Sequence, residues 1–245
     1  MEALSHVAWG LVGPFAGLHF LRAYLVGLLR LGTGLPAGYT RKINHVLSGV
    51  LNLALGCLLL RSPALVPTAV VLSALGIGLY AAVAFAPRGV LRVLFAGDAR
   101  PTDNPPGPYI FWPALFAIAG GLGAVLLVPD RSAVMVGVVS LVLGDAAAEP
   151  VGITWGRHRY RVRALFGGWS WKSWEGSAAV AVATAAGALP VLRLAGHGWP
   201  AAAAVAAAAG VWAAVVEALT PHGLDNLVLP PAVAAAAAAL LGGLP

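Results

Sequence analysis

The chain has 245 residues, 60% of them hydrophobic and only 10% charged, where a soluble domain carries about 25% charged residues. That leaves too little polar surface to face water on all sides. The formal net charge of +6 does not point to nucleic acid, because the basic residues sit in short loops between apolar runs, as the positive-inside rule describes.

A hydrocarbon core about 30 Å thick needs about 20 mostly apolar helical residues, and only helices or closed barrels satisfy the backbone there. The apolar runs are continuous rather than alternating, so they predict helices. The expected fold class is all-α: a polytopic membrane helical bundle, one domain over 1–245, with about eight transmembrane helices. The predicted spans are 7–29, 43–60, 64–86, 109–128, 132–149, 177–193, 199–217 and 226–244.

Residues 1–8 lack the basic start of a cleavable signal peptide, so the first span is expected to begin at Val7. Before the second span comes Arg41-Lys42-Ile43-Asn44-His45, polar residues at a helix start that could touch a substrate. Cys57, the single cysteine, excludes an intramolecular disulfide and a cysteine zinc site. The run 64–86 carries no charge. The loop Arg100-Pro101-Thr102-Asp103-Asn104 is polar. The span 132–149 is unusual in ending with Asp145 and Glu149. The alanine-rich stretches 201–209 and 232–239 suit close helix approach, within one chain or across a homodimer interface.

Placing Met1 outside and crossing eight times puts twelve of the fifteen Lys and Arg residues on the inner side, leaving Arg61, Arg131 and Arg193 outside. That predicts a multi-pass protein of the cell membrane with both termini outside and the polar segments on the cytoplasmic face.

Ionisable residues at membrane depth are functional candidates. Asp145 and Glu149, four apart, share a helix face and repel unless a cation lies between them. Mg²⁺ suits such oxygens and bridges to phosphates. Behind them, Arg157, Arg159, Arg161, Arg163 and Lys172 have the density to hold a polyphosphate. Gly152 and Gly156 would let backbone approach a ligand. Ser173 or Ser177 would cap the next helix, whose N-terminus could face an anion. A second segment, from Glu217 through His222 to Asp225 and Asn226, holds two acids and no Lys or Arg. It could complete a metal or sugar site, or Asp225 could simply cap the last helix. No Walker loop, HExxH motif or GxSxG elbow is present.

Gly144-Asp145…Glu149-Pro150…Gly152…Gly156, followed by Lys172-Ser173-Trp174-Glu175-Gly176-Ser177, resembles the polyprenol kinase family. That family includes dolichol kinase, phytol kinase and CTP-dependent diacylglycerol kinase, and is distantly similar to the phosphatidate cytidylyltransferases. Glu217, Asp225 and Asn226 resemble its late Glu…Asp-Asn turn, and Arg41, Lys42 and His45 its early Arg-Lys-x-x-His. One departure is Glu149-Pro150, where many members carry an apolar or small residue, and the basic loop is also rich in Trp and Arg.

The resemblance implies transfer of a phosphoryl group from a nucleoside triphosphate, usually CTP, to a lipid alcohol of the phytol, polyprenol or diacylglycerol class. It implies Mg²⁺ contacts at Asp145, Glu149 and Asp225. The phosphates would meet Arg157, Arg159, Arg161 and Lys172, with Glu175 orienting the loop or contacting the metal. A carboxylate, Glu217 or Asp145, would take the hydroxyl proton. Two other readings compete: a cytidylyltransferase acting on a lipid phosphate, and a lipid transporter or binding protein without chemistry. Transporters tend to carry repeated halves, and no such repeat is evident here.

Overall fold

The structure, a computed structural model, describes residues 6–165 and 167–243. In chain order the helices are α1 (Trp9–Thr33), α2 (Ala37–Leu58), α3 (Leu65–Phe85), the short α4 (Leu91–Asp98), α5 (Pro106–Leu127) and α6 (Arg131–Val139). A π-helical segment, Ser140–Asp145, runs from α6 into α7 (Ala146–Trp155). A hairpin of β1 (Arg159–Arg163) and β2 (Trp169–Ser173) follows, then α8 (Trp174–Ala195), α9 (Trp199–Leu219) and α10 (Asp225–Gly243).

Among the described residues, seven helices are long and apolar enough to cross a membrane: α1, α3, α5, the continuous 131–155 run, α8, α9 and α10. The protein is therefore an all-α polytopic membrane protein, with the small hairpin as its β-structure among the described residues. The eighth predicted span, 43–60, lies on α2. That helix is long enough, but Arg41, Lys42, Asn44, His45 and Asn52 keep it too polar to join the seven. The hairpin and α4 are additions to the predicted elements. Both are short, and neither contributes a long apolar run.

The chain divides into two compact units: Met1–Asn52 with Ser62–Ile118, and Leu53–Arg61 with Ala119–Pro245. In the first unit the apolar core gathers Ala23, Val83, Ala84, Leu94 and Ile110. α1 and α4 approach closely there, because a Cβ added at Gly27 would lie 2.7 Å from the carbonyl carbon of Val93.

The second unit is built on small residues. Ala202, Val205, Ala206, Ala209 and Ala213 are buried along α9, at the three- and four-residue spacing of one helix face. Gly210 sits against the Ala181 carbonyl, and its Cβ would lie 3.1 Å from Ala185 Cβ. Gly137 likewise packs on α10, where an added Cβ would lie 2.9 Å from Ala234 Cβ. Helices without bulky side chains at the contact bring their backbones together, which is how they associate when lipid supplies no hydrophobic contrast.

Candidate functional site

The second unit brings two segments 45 residues apart in sequence onto one buried polar cluster. α9 ends at Leu219, leaving its last carbonyls without helical partners. Lys172, at the end of β2, reaches them: its Nζ donates to the Glu217 carbonyl at 2.5 Å and the Thr220 carbonyl at 3.3 Å. The same ammonium meets Glu217 Oε1 at 2.8 Å and Asp225 Oδ2 at 3.7 Å. All three side chains are nearly closed to solvent, at 8%, 6% and 8% exposure. A cation at a helix C-terminus and an acid at the next helix N-terminus both suit the helix dipoles.

The cluster continues through hydroxyls. Ser177 Oγ donates to Glu217 Oε2 at 3.2 Å, and the Tyr160 hydroxyl lies 2.8 Å from Ser177 Oγ. Burial pushes the Tyr160 phenol up; the Ser177 bond opposes that shift and the Glu217 charge adds to it. Asp145, half-buried at the end of the π segment, is within electrostatic reach of Asp225, as is His222. Asn226 places its Oδ1 in a buried position with no hydrogen-bond partner among the described residues. A π segment widens one turn of a helix and is found frequently at functional sites; here it delivers Asp145.

The remaining candidates have clear places. Ser173 is the N-cap of α8 and accepts from the Gly176 N–H at 3.1 Å. The acid Glu175 accepts from the His158 N–H at 3.3 Å and meets His158 Nδ1 at 2.7 Å, tying the start of the hairpin to α8. Gly152 and Gly156 face Ser173: added Cβ atoms would lie 3.0 Å and 2.8 Å from its Oγ. Both glycines therefore admit α7 to the capped start of α8. Glu149 and Arg157 are exposed.

Arg159, Arg161 and Arg163 do not share the face of Lys172. Antiparallel register pairs Tyr160 with Lys172 and Arg161 with Trp171, and alternation sends neighbouring residues to opposite faces. The inner face carries Tyr160, Val162 and Lys172. The outer face carries the three arginines with Trp169 and Trp171, all exposed. The alternation in Arg-Tyr-Arg-Val-Arg and Trp-Ser-Trp-Lys-Ser was the available signal for this hairpin. The hairpin is anchored on the α9–α10 turn, with His222 N donating to the Arg163 carbonyl at 2.8 Å and Leu165 N to the His222 carbonyl at 3.0 Å.

Arg41, Lys42 and His45 belong to the first unit. Arg41 donates to the Tyr109 carbonyl at 3.2 Å and lies 3.6 Å from Asp103 Oδ2. Nearby is a second buried polar cluster that composition did not signal. Arg22 donates to the Asn44 carbonyl at 2.6 Å and to its side-chain oxygen, and Asn44 Nδ2 donates to both Asp98 oxygens at 2.9 Å. Arg30 donates to the carbonyls of Ala96, at 2.5 Å, and of Ala99. Burial pushes the Asp98 carboxyl up, against Asn44 and the charges of Arg41, Arg22 and Arg30.

Among the described residues no three His, Cys, Asp or Glu side chains converge as a metal-holding group. Mg²⁺ is commonly held by one or two carboxylates together with substrate phosphates and water. The pair Asp145 and Asp225 fits that smaller donor set. No protein-family model matches the chain, and no curated protein matches it.

Proposed function

We propose that this protein is a membrane-embedded phosphotransferase that moves a phosphoryl group from a nucleoside triphosphate, CTP by resemblance, onto a lipid alcohol of the phytol, polyprenol or diacylglycerol class. The observation that supports this most is the meeting of Lys172 and Ser177 with Glu217 and Asp225. These residues come from two of the sequence blocks that carry the resemblance. Around them lie a half-buried Asp145 and the orphan acceptor of Asn226.

Phosphoryl transfer is mainly positioning and charge stabilisation. Asp145 and Asp225 would hold Mg²⁺, with Glu149 beside them on α7. Bound there, the metal would offset the charge of the phosphate oxygens. Lys172, engaged by Glu217 and two carbonyls, fixes the carboxylates rather than gripping phosphate. Arg157, exposed between α7 and β1, is left for the nucleotide. The alcohol oxygen bonds to the γ-phosphorus, the bond from that phosphorus to the β-phosphate oxygen breaks, and CDP leaves. The hydroxyl proton passes to a carboxylate, Asp145 or Glu217. On the charge asymmetry of the loops, this site faces the cytoplasm and both termini lie outside, which requires α2 to cross as well.

The test is purified protein in detergent with Mg²⁺, labelled nucleoside triphosphates and a panel of lipid alcohols. Label from the γ position of CTP should enter the organic phase, and Asp145→Asn should abolish it while the protein stays folded. Label from the α position, with pyrophosphate released, would instead establish cytidylyl transfer to a lipid phosphate. No transfer from any donor would overturn the enzyme reading in favour of lipid transport or binding.

A further inference from the structure

The outer face of the β1–β2 hairpin takes no part in the cluster described above, yet it is built. Arg161 lies with its guanidinium 4.7 Å from the Trp171 ring centroid, and Arg163 lies 4.4 Å from that of Trp169. Such cation–π contacts hold the charged groups over aromatic planes. Arg159 extends the row on the same face. Trp169 and Trp171 are each 57% exposed, a large apolar area to leave in water. The segment 157–174 contains five Lys or Arg residues and no acid.

Position decides what this face can meet. The membrane-spanning run 131–155 ends at Trp155, four residues before β1, and the spanning helix α8 starts at Trp174, directly after β2. Trp155 and Trp174 are themselves exposed, at 65% and 64%. A five-residue strand spans about 17 Å at most, so a hairpin flanked this closely by two spans stays near the bilayer surface. Tryptophan favours that headgroup level, and arginine there is drawn to anionic lipid. Guanidinium groups also match phosphate oxygens with paired hydrogen bonds.

We propose that Arg159, Arg161 and Arg163, with Trp169 and Trp171, form a binding surface for anionic phospholipid headgroups of the surrounding membrane. The arginines take the phosphate, and the indoles lie among the upper acyl segments. Because this hairpin also carries Lys172 on its inner face, lipid held outside fixes the strand that positions the buried carboxylates inside.

The experiment is a lipid-retention measurement on the full chain in mild detergent, with equal amounts of phosphatidylglycerol and phosphatidylcholine, counted by native mass spectrometry. Wild type should retain phosphatidylglycerol over phosphatidylcholine by at least tenfold, given roughly a fivefold contribution per arginine at an anionic surface before screening. The variant Arg159→Gln/Arg161→Gln/Arg163→Gln should lose most of that preference, and raised salt should weaken it in wild type. Replacing the same three with Lys keeps the charge but loses the stacked fork, and should give an intermediate preference. Wild type without a preference for the anionic lipid overturns the proposal. So does a Gln variant that keeps the preference in full, or one that keeps it while losing CTP affinity, which would make the face a nucleotide site. None of these readouts depends on catalysis, so failure of the kinase reading leaves the test intact.

Discussion

Two buried polar clusters, one in each unit, use the same device to opposite ends. In the first unit Arg30 closes the carbonyls at the end of α4, and in the second Lys172 closes those at the end of α9. Each device spares a helix terminus the cost of buried, unpaired carbonyls. The charge around them differs. Asp98 is met by Asn44 and lies under the influence of Arg22, Arg30 and Arg41. Lys172 is met by Glu217 and Asp225, with Asp145 in reach of the latter. The first cluster has cations in excess. The second has carboxylates in excess, which is the condition for drawing in another cation. This difference, more than depth of burial, is why the second unit is the better candidate for chemistry.

The comparison breaks first at Lys172. Replacing it with Met leaves two buried carboxylates uncompensated and should cost about 3–5 kcal/mol, read as thermal unfolding in detergent with a thiol-reactive dye at Cys57. Adding Glu217→Leu should restore much of the loss, and a near-neutral Lys172→Met would show that the cluster is solvated. Asp98→Asn should cost less, about 1–3 kcal/mol, because the new side chain keeps one oxygen to accept from Asn44 Nδ2. If it costs as much as Lys172→Met, the asymmetry between the clusters is illusory.

Packing sharpens the comparison further. Gly27→Ala pushes a methyl into the Val93 backbone, whereas Gly187→Ala, on α8, meets the side chains of Leu143 and Val139 at 2.5 Å and 2.7 Å. Overpacking costs about 1–3 kcal/mol, and Gly27→Ala should lie at the upper end because backbone yields least. The same melting assay ranks the two, and the reverse order would mean that the contact of α8 with Val139 and Leu143 is the more rigid one.

The smallest effect is expected at Asp130, the N-cap of α6, whose carboxylate accepts from the Ala133 N–H at 2.9 Å and the Ser132 hydroxyl at 2.6 Å. Burial alone would raise its pKa, but these bonds and the Ser132 N–H bring it below the ordinary carboxylate range. Its stabilisation is therefore present above that range and lost as pH falls through the lower folded value. Asp130→Ala should cost about 0.5–2 kcal/mol near neutrality, and the gap from wild type should close in acid. A gap that persists unchanged in acid would rule out the ionised cap.

The seven helices long and apolar enough to cross a membrane were legible because a run of apolar residues has one solution in lipid. α2 was legible as a helix, but its polar start falls short of the same apolarity. The hairpin was hidden within a basic segment. Its two-residue alternation was present, but high charge made it read as a loop, and pairing with the tryptophans gives Arg161 and Arg163 a fixed place. The first-unit cluster was hidden for another reason: Arg22 and Asp98 are isolated charges in sequence, 76 residues apart, and nothing local marks them as neighbours.

The sequence by itself determined the class of the protein, the approximate spans and the residues rich enough in charge to matter, since these follow from composition and from the cost of leaving backbone unpaired in hydrocarbon. Tertiary structure alone decided which charges meet. Lys172 turns inward to Glu217 while Arg161, eleven residues earlier, turns outward over Trp171, because strand alternation and register assign their faces. Gly152 and Gly156 serve the contact between α7 and the capped start of α8 for a related reason: helix packing, unlike helix formation, depends on what the rest of the chain places opposite.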